Sequence, residues 1–81
     1  MRYRNFIKSD IDLIEENANF NDEQKRVFEM LISPSYGVTQ NNISIAMSLH
    51  ISERKLYKIK HEVEDKISRI FAEHVQGQHV S

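Results

Sequence analysis

Residues 41–61, NNISIAMSLHISERKLYKIKH, decide how this chain folds. Ile43, Ile45, Ala46 and Leu49 recur at helical spacing after Asn41, or Thr39 just before it, and either of these two side chains can cap a helix start. Leu49-His50-Ile51 then reads as a three-residue turn. Ser52 and Glu53 restart a helix: the serine oxygen accepts a bond from a free amide, and the acid opposes the helix dipole. Two helices packed across such a turn need a small residue where they meet and apolar residues on both facing sides. Ala46 supplies the first; Ile45, Leu49, Leu56 and Ile59 supply the second, with Ile51 plugging the turn. This is the pattern of a helix-turn-helix.

Working forward, Leu56, Ile59, Val63, Ile67 and Ile70 fall in one narrow sector of a helical wheel. Arg54, Lys58 and His61 fall opposite, with Tyr57 on the flank. In a DNA-reading helix-turn-helix, the solvent-facing residues of the second helix's first turns meet base edges. On that reading Arg54, Lys55 and Lys58 are donors to guanine acceptors or phosphates, and Tyr57 can meet a thymine methyl or a sugar. Ser52 and the adjacent free amides can hold a phosphate, and His61 extends the stripe. Glu53 can accept from cytosine or complement the helix dipole, and the dipole role is favoured. Glu62 with Lys66, and Asp65 with Arg69, are acid-first pairs one turn apart, which predicts a charge-balanced later segment. Gly77 is expected to end this helix, with residues 77–81 as a disordered tail.

Working backward, Ser9 with Asp12 predicts the capped start of a first helix carrying Ile11, Ile14 and Ala18 and ending near Ala18 or Asn19. Asn21 with Gln24 predicts a second start, with Phe20 just before the cap and Val27, Phe28, Leu31 and Ile32 as the buried stripe. Pro34 stops that helix, leaving a turn from Ser33 to Val38. Residues 1–8 form an N-terminal arm. Its arginines, Arg2 and Arg4, can reach a minor groove, but the favoured expectation is a disordered terminus with Tyr3, Phe6 and Ile7 tacked onto the core.

The whole is one all-α, four-helix domain of 81 residues with a helix-turn-helix core at 41–61 and an extended C-terminal recognition helix. The absence of cysteine excludes a disulfide framework and thiolate metal sites, and fits a cytoplasmic location. No apolar run reaches membrane-span length, and MRYRNFIK lacks the apolar stretch of a secretory signal, so no membrane partner is expected. The net charge of −1 is low for a nucleic-acid binder, but it is unevenly placed. Residues 9–23 carry six acids and no base, whereas residues 41–61 carry Arg54, Lys55, Lys58 and Lys60 against Glu53 alone.

The span Phe20 to Ile70 resembles region four of bacterial sigma factors and related small stand-alone helix-turn-helix regulators of phage and prophage type. Arg26-Val27-Phe28 stands where that family has Arg-x-Val-Leu in its opening helix. Ile45-Ala46 followed by Leu49-His50-Ile51-Ser52 matches the turn signature, and Lys55, Leu56 and Ile59 match the start of the reader helix. His50 departs from the family's usual turn glycine, and the loop from Ser33 to Asn42 is longer than usual. The resemblance implies a DNA-binding transcriptional regulator with double-stranded DNA as partner, and RNA polymerase as a second candidate.

An enzyme is not expected. The histidines are scattered, there is no glycine-rich phosphate loop or His-Glu-x-x-His motif, and the chain is too short to enclose a substrate pocket. No cofactor or metal is expected either; the His61–Asp65 pair is the nearest approach to a ligand set. The apolar face of the last helix, running through Phe71 and Val75, must be covered by the first helix or by a second chain. A homodimer through this helix is expected, because two half-sites raise affinity. The alternative function is a protein-interaction module of the same fold, binding a polymerase or phage protein, or an accessory in DNA packaging or replication.

Overall fold

The computed structural model describes residues 3–79, with the side chains of Arg4 and residues 74–79 excepted. After a 3-10 turn at Tyr3–Asn5 come four α-helices: α1 (Lys8–Asn17), α2 (Asp22–Leu31), α3 (Asn42–Ser48) and α4 (Glu53–His79). Among the described residues there is no β-strand; Tyr36 and Gln40 form one isolated bridge inside the α2–α3 loop.

The helix starts follow local side-chain chemistry, with one correction. At α2 the capping box is complete: Asn21 Oδ1 accepts from the Gln24 amide at 2.8 Å, and Gln24 Oε1 accepts from the Asn21 amide at 3.1 Å. Asn41, not Thr39, caps α3 through the Ser44 amide at 2.9 Å. Ser52 Oγ accepts from the Lys55 amide at 3.1 Å and starts α4. At α1, however, Ser9 is inside the helix. The start lies earlier, where the Asp10 carboxylate accepts from the Ile7 amide at 3.1 Å. Asp10, three residues beyond Ile7, takes the role assigned to Asp12, so the register moves toward the N-terminus.

The helix ends are equally specific. Asn19 (φ 53°) terminates α1 in the left-handed region, which asparagine tolerates better than most residues. After α3 the backbone closes a Schellman motif. The Ile51 amide donates to the Ala46 carbonyl at 3.0 Å, the His50 amide donates to the Met47 carbonyl at 3.2 Å, and His50 sits at φ 56°. The left-handed geometry that glycine adopts most readily is therefore present here with a histidine in it. Gly77 does not end α4, which runs through His79. A single glycine inside a helix costs only about 1 kcal/mol relative to alanine. Val80 and Ser81, the rest of the expected tail, lie outside the described residues.

One core joins all four helices. Ile14 of α1, Val27, Phe28 and Leu31 of α2, Ile45 of α3, and Leu56, Val63 and Ile67 of α4 are essentially inaccessible to solvent. Burying each such side chain contributes about 1.5–3 kcal/mol, before the opposing entropy of ordering it. The expected α4 stripe, Leu56-Ile59-Val63-Ile67-Ile70, is buried throughout. α1 does fold back on it, since Ile14 and Ala18 belong to the same cluster as Ile67 and Ile70. To that point the face is covered within one chain; the Val75 side chain lies outside the described set.

Two flanks of α4 carry the polar ties. On one, the Lys66 ammonium donates to Gln24 Oε1 at 2.8 Å and to the Asn19 carbonyl at 3.2 Å, beside the Phe20 ring. Lys66 thus clamps the α1–α2 junction and does not form the expected pair with Glu62, because its ammonium is engaged by two acceptors there, one of them partly buried. On the other flank, Tyr3 is buried and donates to Glu64 Oε2 at 2.7 Å. Its ring packs edge-on against Phe6 and Tyr36, and Phe6 meets Phe71. Tyr3 and Phe6 therefore pack as expected, but on an ordered 3-10 turn and not a disordered terminus, and Ile7 is exposed, because its backbone serves as the α1 cap. Arg2 and the Arg4 side chain lie outside the described residues.

Candidate nucleic-acid interface

The first turns of α4 present the candidate residues. Ser52, Glu53, Arg54, Lys55, Tyr57, Lys58 and His61 are all exposed, while Leu56 and Ile59 between them are buried. The alternation follows from the helical period: at 100° per residue, anchoring Leu56, Ile59 and Val63 inward turns Arg54, Lys58 and His61 outward. Neither Arg54 nor Lys58 makes a hydrogen bond or ion pair among the described residues. Both cations are thus free of a direct partner among the described residues.

The remaining candidates are partly engaged. Lys55 forms an ion pair with Glu23 of α2 at 3.1 Å. The pair is half exposed and contributes little to stability, but it offsets the Lys55 charge and ties α4 to α2. His61 faces Asp65 at 3.9 Å, an ion pair only when the imidazole is protonated. Ser52 Oγ is occupied as the helix cap. Arg54, Lys55 and Lys58 line a groove with Asn21, Glu23, Ser52, Ile59 and Glu62, so three bases there face two acids. The acids of α1 gather elsewhere, with Asp12, Glu15 and Glu16 around Asn19, Phe20 and Lys25.

Residues absent from the sequence-based set border this face. Tyr36, in the α2–α3 loop, accepts from the Lys60 ammonium at 3.0 Å and donates to Asn42 Oδ1 at 3.0 Å. Asn42 Nδ2 in turn reaches the Tyr57 hydroxyl at 3.5 Å. The sequence holds no local signal for this chain of contacts, because it depends on how the loop folds over α4. Tyr57 itself is 50% exposed. On α3, Ile43 and Met47 point away from the core, at 52% and 72% exposure.

Among the described residues no group of histidine and acidic side chains is arranged to hold a metal ion, and no helix is long and apolar enough to cross a membrane. The fold and site define a small all-α domain with a helix–turn–helix pair and a cationic outward face. Comparison of the chain with protein-family models, with characterised proteins and with solved structures finds no match.

Proposed function

We propose that this chain is a DNA-binding transcriptional regulator that reads duplex DNA through the first turns of α4. One observation carries the reading: Arg54 and Lys58 stand exposed, and without a partner among the described residues, on the outward face of a helix anchored by a capped start and a buried stripe. Free guanidinium and ammonium groups on such a face suit phosphate oxygens and the guanine edge. The resemblance of residues 20–70 to sigma region-four domains supports the same reading, with a phage-type stand-alone regulator as the class. The assembly it calls for is a homodimer through the C-terminal part of α4, in the cytoplasm. An electrophoretic shift with random and selected duplexes tests it: a retarded, salt-sensitive complex is expected, and no shift at low salt would end it.

A second reading has its own observation. Ile43 and Met47 are exposed apolar side chains on α3, beside the proposed reader, and the overall charge is near neutral. Both features suit a protein partner, such as a polymerase subunit, on the same fold. Substituting Ile43 and Met47 by serine separates the two: duplex binding survives if α4 is the reader, and partner capture is lost if α3 is the docking face.

A further inference from the structure

We propose that Tyr36 is a positioning residue for the reader face, biasing the orientation of Tyr57 through Asn42, whose Nδ2 reaches the Tyr57 hydroxyl at 3.5 Å. The inference rests on the DNA-binding reading for its consequence, but not for its geometry.

The Tyr36 hydroxyl is the meeting point of three elements. It belongs to the α2–α3 loop, it accepts from Lys60 on α4, and it donates to Asn42 at the first position of α3. The Lys60 nitrogen is 3.0 Å from that oxygen but 5.6 Å from the ring centre. It therefore lies beyond the hydroxyl and not over the ring face, so the contact is a hydrogen bond. Once the ammonium occupies the oxygen's acceptor side, the hydroxyl proton is directed to Asn42. That fixes which end of the Asn42 amide is the acceptor, and its Nδ2 then faces Tyr57. Donors and acceptors run in one direction from Lys60 through Tyr36 and Asn42 to Tyr57.

The ring of Tyr36 is held as well. Tyr3 packs against it edge-on at 6.0 Å, and Tyr3 is anchored to Glu64. A half-exposed tyrosine such as Tyr57 would otherwise sample several rotamers. Holding its hydroxyl reduces the ordering cost when the ring meets a partner, which favours the partner that fits the held orientation.

Tyr36→Phe tests this, because it keeps the ring against Tyr3 and removes only the hydroxyl. In nuclear magnetic resonance spectra of the intact chain, the Asn42 side-chain amide and the Tyr57 ring resonances should both shift toward solvent-averaged positions. With DNA, discrimination between a selected duplex and its single mismatches should fall about threefold to tenfold, the range of one neutral hydrogen bond, with binding to random duplex changed less than about twofold. Tyr57→Phe should lose as much, and the double variant no more. Asn42→Ala breaks the same chain at its middle, and serves if Tyr36→Phe does not fold. Unchanged Asn42 and Tyr57 resonances would overturn the proposal, as would additive losses in the double variant. If the wild type binds no duplex, the DNA reading fails, and the resonance shifts alone decide whether Tyr36 orients Tyr57.

Discussion

Tyr3 and Glu64 are 61 positions apart in the chain, yet the phenol donates to the carboxylate at 2.7 Å. Burial first, and then this bond and the carboxylate charge, push the Tyr3 pKa well above the ordinary tyrosine value. A raised pKa means that the folded state keeps its proton where the unfolded state releases it. The contribution is intact below about pH 10 and is lost as pH rises beyond that. Denaturant titrations from neutral to strongly alkaline pH should show stability falling above about pH 10, and falling less steeply in Tyr3→Phe. At neutral pH, Tyr3→Phe should cost about 1–2 kcal/mol, because Glu64 loses its partner in a partly buried place.

Lys66→Met should cost about 1 kcal/mol in the same denaturation assay, since it keeps the aliphatic stem beside Phe20 but removes a charged donor to Gln24 and Asn19. Amide exchange should quicken at the α1–α2 junction before the rest of the molecule. Glu62→Gln, by contrast, should leave stability nearly unchanged, because Glu62 is not the partner of Lys66.

His50→Gly should raise the thermal midpoint. A left-handed residue carries a steric cost of roughly 1–2 kcal/mol that glycine avoids, offset in part by the greater freedom of glycine in the unfolded chain. A net gain of about 0.5–1 kcal/mol is expected, with the α3–α4 turn otherwise intact. A lower midpoint would mean that the imidazole contributes something beyond its backbone geometry.

Ile67→Ala should destabilise the domain by about 2–4 kcal/mol, as expected for a fully buried aliphatic side chain at the α1–α4 contact. Light scattering on the wild type and this variant bears on assembly. If α4 pairs two chains through its C-terminal part, the wild type should run as a dimer, and this internal substitution should weaken folding without selectively splitting the dimer.

What the sequence made legible is what is encoded locally. Asn21 with Gln24, Ser52 before Glu53, and the steps from Leu56 to Ile70 declare themselves because caps and helical period depend on neighbours within a turn or two. The same period placed Arg54 and Lys58 outward. The misplaced start at Ser9 arose from two overlapping cap patterns, between which only the position of Asp10 decides. Lys66 looked like the partner of Glu62 because wheel geometry knows nothing of the neighbouring α1–α2 junction. Tyr3–Glu64 and the Tyr36–Asn42–Tyr57 chain depend on tertiary placement, and nothing in their spacing announces them.

The central claim is that the Arg54 and Lys58 face meets duplex DNA, and fluorescence anisotropy on a selected duplex at two salt concentrations tests it most directly. The wild type should bind more weakly as salt rises, because phosphate contacts release counterions. Arg54→Ala should cost about 1–3 kcal/mol if the side chain reads a base, and adding Lys58→Ala should flatten the salt dependence by about one contact if Lys58 meets a phosphate. A double variant that binds as tightly as the wild type, with the same salt dependence, would contradict the account.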